Sequence, residues 1–135
     1  MITISAGLVI IYDNKILLVH PTGQKWHGSY SIPKGHVEEG EEYLDAAIRE
    51  TQEEVGIKFK PNQIKPNSEG YINYRDENGK LYKRVYFYIV ELKEHIDIDR
   101  KKLQKEEIDW AGFLSKEEAE KRIFWRFKSL INYLK

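Results

Sequence analysis

The segment Tyr43–Gly56, YLDAAIRETQEEVG, constrains the fold more than any other stretch. Leu44, Ala47, Ile48, Thr51 and Val55 recur at helical spacing and form one apolar stripe. Gly56 is a natural stop, because a helix ends readily on a residue free to turn left-handed. A helix with one apolar stripe must bury it, so the chain needs a second layer for this helix to lie on. At about 100° per residue, Glu50 and Glu54 fall to one side of the stripe. Glu53 is placed beside them, completing an i, i+3, i+4 group at the border of the buried face. Carboxylates this close repel unless a cation sits among them or water separates them. The helix alone is consistent with either arrangement.

The second layer is legible as strands. Residues 3–12 are β-branched and apolar, Asp13-Asn14 has turn chemistry, and residues 15–20 form a second apolar run, so 3–20 reads as a hairpin. Residues 21–35 are rich in Gly, Pro and Ser and read as a loop, with one short extended piece at Tyr30–Ile32 ahead of Pro33. Ile57–Phe59 reads as a short strand. Residues 70–76 and 81–92 flank Asn78-Gly79, a strong hairpin signal. Residues 93–107 are charged and weakly patterned, and 107–113 read as a strand. Ser115 and Glu118 form a capping box at the start of a short helix. An amphipathic helix over 124–134 would then place Phe124, Phe127, Leu130, Ile131 and Leu134 on one side. This succession of strands and helices predicts an α/β chain, a mixed sheet with helices on its faces, as one domain over residues 1–135.

Lys+Arg and Asp+Glu both number 22, so bulk charge does not suit a dedicated nucleic-acid binder, and no stable nucleic-acid partner is expected. The chain has no cysteine, which removes disulfides and thiolate metal sites. The first residues read as a strand rather than a signal peptide, and no apolar run approaches the ~20 residues that span a bilayer. The expectation is a cytoplasmic protein, monomeric or homodimeric, without a membrane partner.

The loop before the helix favours the cation reading. Gly35 permits close backbone approach and offers a carbonyl, and Lys34 beside it is a phosphate-seeking cation. Oxygen-only donors suit Mg²⁺ or Mn²⁺. Gly35, Glu41, Arg49, Glu50, Glu53, Glu54 and Gly56 stand at the spacing of the Nudix box, G-x5-E-x7-R-E-U-x-E-E-x-G-U, with Ile57 at the final apolar position. The chain therefore resembles the Nudix hydrolases, MutT-like proteins with an α/β/α sandwich around a mixed sheet. Thr51 stands where an apolar residue is usual.

That resemblance implies metal-dependent hydrolysis of a nucleoside diphosphate linked to a further group. Gly35, Glu50, Glu53 and Glu54 would hold the metal, Arg49 would orient the glutamates, and Glu41 would assist. Glu107 is the candidate general base. Glu106 competes with it, since strand alternation points one of the two inward. Pro33-Lys34-Gly35-His36, Glu38-x-Gly40-Glu41 and residues 49–54 resemble in particular the asymmetric diadenosine tetraphosphate (Ap4A) hydrolases. This implies cleavage of Ap4A to ATP and AMP. Lys34 and Lys83 would meet the polyphosphate, with Arg84 a further cation, and Trp26 and Tyr82 would stack on a base. The alternatives are a nucleoside triphosphate or ADP-ribose pyrophosphatase, an RNA 5′-pyrophosphohydrolase, and a non-catalytic nucleotide sensor.

Overall fold

The computed structural model describes residues 1–135, built on one six-stranded mixed sheet. Its strands are β1 (Thr3–Tyr12), β2 (Lys15–Pro21), β3 (Lys34–His36), β4 (Gly70–Arg75), β5 (Leu81–Leu92) and β6 (Ile108–Leu114). The helices are α1 (Tyr43–Val55) and α2 (Lys116–Arg122). The main path runs β4-β5-β1-β2-β6, and β3 pairs with β1 off that path. β1 and β5 are parallel, and the other pairings are antiparallel. No helix is long and apolar enough to cross a membrane.

The sheet forks. β1 and β2 share only the pairs Ile11↔Ile16 and Tyr12↔Lys15, next to a turn in which Asp13 and Asn14 both adopt positive φ. Beyond those pairs the strands separate, and the chain between Tyr30 and His36 fills the gap. Val19 and Ser31 exchange both backbone hydrogen bonds, so the first part of that segment belongs to β2. Leu8 N–H then donates to the Pro33 carbonyl at 3.2 Å, and β3 continues along β1 through Ser5↔His36, Ala6↔Gly35 and Gly7↔Lys34. Gly7 is needed here because a Cβ would lie 2.4 Å from the Pro33 carbonyl oxygen and 2.7 Å from Lys34 Cβ.

The two faces of the sheet bury separate cores. Ala6, Leu8 and Ile10 of β1 pack with Ala46 and Ala47 of α1 and with Phe59. Val9, Val85, Phe87 and Ile89 pack against Ala119 of α2 and against Phe127, Leu130 and Ile131. These two layers of helix on one mixed sheet make the α/β/α sandwich.

Three expectations for local structure are corrected. The third strand is Lys34–His36, not Tyr30–Ile32, which makes only isolated bridges. Residues 57–59 form no strand: Phe59 is buried under α1, and no strand lies beside it as a partner. Residues Trp125–Tyr133 form a 3₁₀ helix rather than an α-helix. Phe124, Phe127 and Leu130 are spaced by three, which puts them on one face of either helix type.

Candidate active site

The fork opens into a cleft of about 330 Å³. Lys34 and Gly35 of β3, Glu50 and Glu54 of α1, Lys83 of β5 and Glu107 just before β6 line it, with the small hydroxyls of Ser5 and Ser31. Residues far apart in sequence meet because β3 inserts into the split and α1 follows it directly.

Gly35 and Glu50 fit each other. A Cβ on Gly35 would lie 2.0 Å from Glu50 Oε2 and 2.1 Å from its Cδ, so the carboxylate occupies the space a side chain would need. Glu54 is 5% exposed, and its Oε1 accepts the Lys34 backbone N–H at 3.2 Å. Burial pushes the Glu54 carboxyl up to about 8, and the charges of Glu50 and Glu107 push the same way, against the pull of Lys34. Burial also raises Glu50, opposed by its bond to Arg49. The two lysines move the other way. Burial lowers Lys34, and burial followed by repulsion from Lys34 lowers Lys83. Neither ammonium has a carboxylate within ion-pair distance: Lys34 Nζ lies 5.9 Å from the Phe127 ring centroid and Lys83 Nζ 5.1 Å from that of Tyr74. Carboxylates and lysines thus line the same cleft, and burial disfavours the charged form of both kinds.

Arg49 organises the acidic side from behind. Its Nε and Nη2 grip Glu41 with two hydrogen bonds at 2.8 and 3.0 Å. Nη1 donates to Glu50 Oε1 at 2.8 Å and to Glu53 Oε2 at 2.9 Å, and Nη2 reaches the His36 carbonyl at 3.0 Å. One guanidinium therefore fixes β3, the loop after it and two turns of α1. The Arg49 contacts hold the Glu41 carboxyl below its usual range and the guanidinium above its own.

Glu53 departs from the expected convergence. It is half-exposed on Arg49, outside the cleft lining. Relative to Glu50, Glu54 turns about 40° toward the core stripe, whereas Glu53 turns about 60° away from it. No group of three acidic or histidine side chains converges enough to hold a metal by itself. Two carboxylates in a cleft suit Mg²⁺, which takes one or two from protein and completes its shell with water and substrate phosphate. The buried Glu54 carboxyl, which would give up its proton as the ion binds, and the Glu50 carboxylate packed on Gly35 fit such an ion.

Glu107 lines the cleft and Glu106 does not. Trp26 and Tyr82 lie outside the lining, both exposed. Trp26 sits on a loop that leaves the cleft wall at Pro21, and its ring lies flat on His20, centroids 3.7 Å apart. Tyr82 meets Tyr74 edge-on, near Arg126. Arg84 is on the opposite face, 4.4 Å from the Tyr71 ring centroid. Ser5 and Ser31 were not singled out by sequence, since isolated small polar residues carry no periodic signal; His36, named in the Pro33–His36 motif without a role of its own, also lines the cleft.

Residues 1–133 match the NUDIX domain. The asymmetrical bis(5'-nucleosyl)-tetraphosphatase of Rattus norvegicus is 34% identical over 83 residues, 62% of this chain and 55% of that protein. The ADP-ribose pyrophosphatase of Methanocaldococcus jannaschii is 41% identical over 49 residues, 36% of this chain and 29% of that one. Among solved structures, a C. elegans Ap4A hydrolase binary complex is similar at TM-score 0.76 and 29% identity, covering 97% of this chain and 93% of that one. The chain spans about half the length of the rat protein it matches, or less than a third in the archaeal case. Nudix hydrolases depend in general on divalent metal, and the paired carboxylates of α1 accord with that. With residues 1–133 matched to the domain, and Gly35, Glu50 and Glu54 of the box lining one cleft, the chain belongs to the Nudix family.

Proposed function

We propose that this chain hydrolyses a phosphoanhydride bond of a dinucleoside polyphosphate, cleaving Ap4A to ATP and AMP with Mg²⁺ or Mn²⁺. The observation that carries this reading is that the Glu50 and Glu54 carboxylates share one cleft with two lysines whose ammonium groups form no ion pair. A tetraphosphate chain carries about four negative charges and needs cations beyond a metal. The similarity to the rat and C. elegans proteins supports the same choice.

Glu50 and Glu54, with the Gly35 carbonyl, would hold the ion. When bound, it neutralises charge on the phosphoryl oxygens. Glu107 accepts a proton from the attacking water, whose oxygen bonds to one phosphorus as the anhydride oxygen leaves with the other nucleotide. Lys34 and Lys83 donate to phosphate oxygens. Arg49 keeps Glu50 oriented, with Glu41 and Glu53 anchoring Arg49 in turn. Trp26 and Tyr82 supply stacking surfaces for the bases. Nucleotide is the partner; the domain acts without a membrane or a nucleic-acid strand.

The test is a substrate panel with Mg²⁺: Ap4A, nucleoside triphosphates, ADP-ribose and 5′-triphosphate RNA, products resolved by chromatography. Equimolar ATP and AMP from Ap4A is the expected result. Two ADP, or a higher kcat/KM on another substrate, would overturn the choice. Tight binding with no turnover of any would make the protein a nucleotide sensor.

A further inference from the structure

Residues 22–28 are all exposed, so this loop has no core of its own to hold it. It is nevertheless tied down. Thr22 donates from its N–H to the Glu107 carbonyl at 2.9 Å and from Oγ1 to the Lys105 carbonyl at 2.8 Å. The remaining ties converge on His20, which is 1% exposed near the end of β2. His20 Nε2 lies 3.1 Å from the carbonyl oxygens of both Gln24 and Lys25, and Nδ1 lies 2.5 Å from Asp109 Oδ1. Both ring nitrogens are thus engaged, one by the Asp109 carboxyl and the other by two loop carbonyls. Trp26 lies over the same ring at an interplanar angle of 1°, and Tyr30 meets it edge-on at 5.0 Å. One face of Trp26 is thereby occupied, while the residue stays 53% exposed.

A buried polar ring costs stability unless its nitrogens are paired, and here the pairing gathers an exposed loop onto the ring. What it fixes is a wall. Pro21 lines the cleft and also a second cavity of about 370 Å³, which is bounded by Gln24, Lys25, His27, Gly28, Ser29 and Phe124, with Trp26 outside both linings. We propose that His20 and Asp109 are positioning residues: they lock the 22–29 loop so that Trp26 presents its free face to a nucleobase beside the cleft. This rests on the reading of Trp26 as a stacking surface. Neither His20 nor Asp109 lines the cleft, so neither is needed to touch the phosphates.

The experiment compares Asp109→Ala, His20→Gln, Trp26→Ala and the double variant Trp26→Ala/Asp109→Ala. Asp109 is partly exposed, so its variant should fold even where His20→Gln does not. Acrylamide quenching of Trp26, taken as the difference from the corresponding Trp26→Ala protein, needs no activity. It should rise about twofold on loss of Asp109, and unchanged quenching would overturn the lock. With Ap4A as substrate, Asp109→Ala should raise KM about tenfold with kcat within about threefold, and should add nothing to the effect of Trp26→Ala. A released Trp26 with unchanged KM, while Trp26→Ala raises KM, would overturn the positioning role. A Trp26→Ala protein with normal KM would instead overturn the stacking reading and the positioning role with it, and quenching would still report on the lock alone.

Discussion

At the scale of single residues, the site depends on a missing side chain. Gly35→Ala would drive a methyl into the Glu50 carboxylate, which Arg49 holds in place from the other side. Turnover should fall by at least about a hundredfold, with a stability loss of about 1–3 kcal/mol, read by steady-state kinetics and thermal melting. Glu54 makes a second prediction. Unfolded, its carboxyl ionises near the ordinary 4.5; folded and metal-free, it keeps its proton up to about 8. The folded state binds more protons between those values, so stability in a chelator should fall as pH rises from about 4.5 to about 8. Glu54→Gln should flatten that slope in melts across the range; an unchanged slope would remove Glu54 as its source. The box residues were legible because their spacing is long and specific. Glu53 was placed less well because its i, i+3 spacing from Glu50 hides a turn of about 60° away from the core stripe, and Arg49 then holds its carboxylate outside the cleft. His20 was invisible, since a lone histidine in an apolar strand shows none of the acceptors that surround it.

At the scale of elements, α1 was read to its end residues. Gly56 takes φ 77° there and returns its N–H to the Gln52 carbonyl, so a local signal sufficed. Thr51 is fully buried and its hydroxyl donates to the Ala47 carbonyl at 2.8 Å, which explains how a polar residue is tolerated in the stripe. Thr51→Val should leave the denaturation midpoint unchanged or raise stability by up to about 1 kcal/mol; a large loss would mean the hydroxyl matters beyond α1. β3 was missed for the opposite reason. Lys34-Gly35-His36 has no strand propensity, and extends because β1 offers it an unpaired edge. Ile57–Phe59 has the propensity without the edge.

At the scale of the whole molecule, the sheet is divided and the cleft lies in the division. Mg²⁺ should raise the melting temperature of the native protein by several degrees, and Glu50→Gln/Glu54→Gln should abolish the rise while leaving the metal-free melt cooperative. Each single Gln variant should lose orders of magnitude in turnover with its fold intact; near-normal metal-dependent rates in both would remove these residues from the site. The α/β/α architecture could be read from the order of elements, but the fork could not, because two apolar strands joined by a tight turn normally pair along their length.

The short β1–β2 pairing has a mechanical consequence. Lys83 stands on one side of the opening and Glu107 on the other. A polyphosphate reaching from lysine to glutamate would act as a rung laid across the gap, joining half-sheets that share two residue pairs of their own. Occupancy should then be felt as stiffness far from the phosphates. Amides of β2 and β6, on the far side of the opening from the lysines, should exchange with deuterium more slowly when substrate is held, and those of the β4–β5 turn should not.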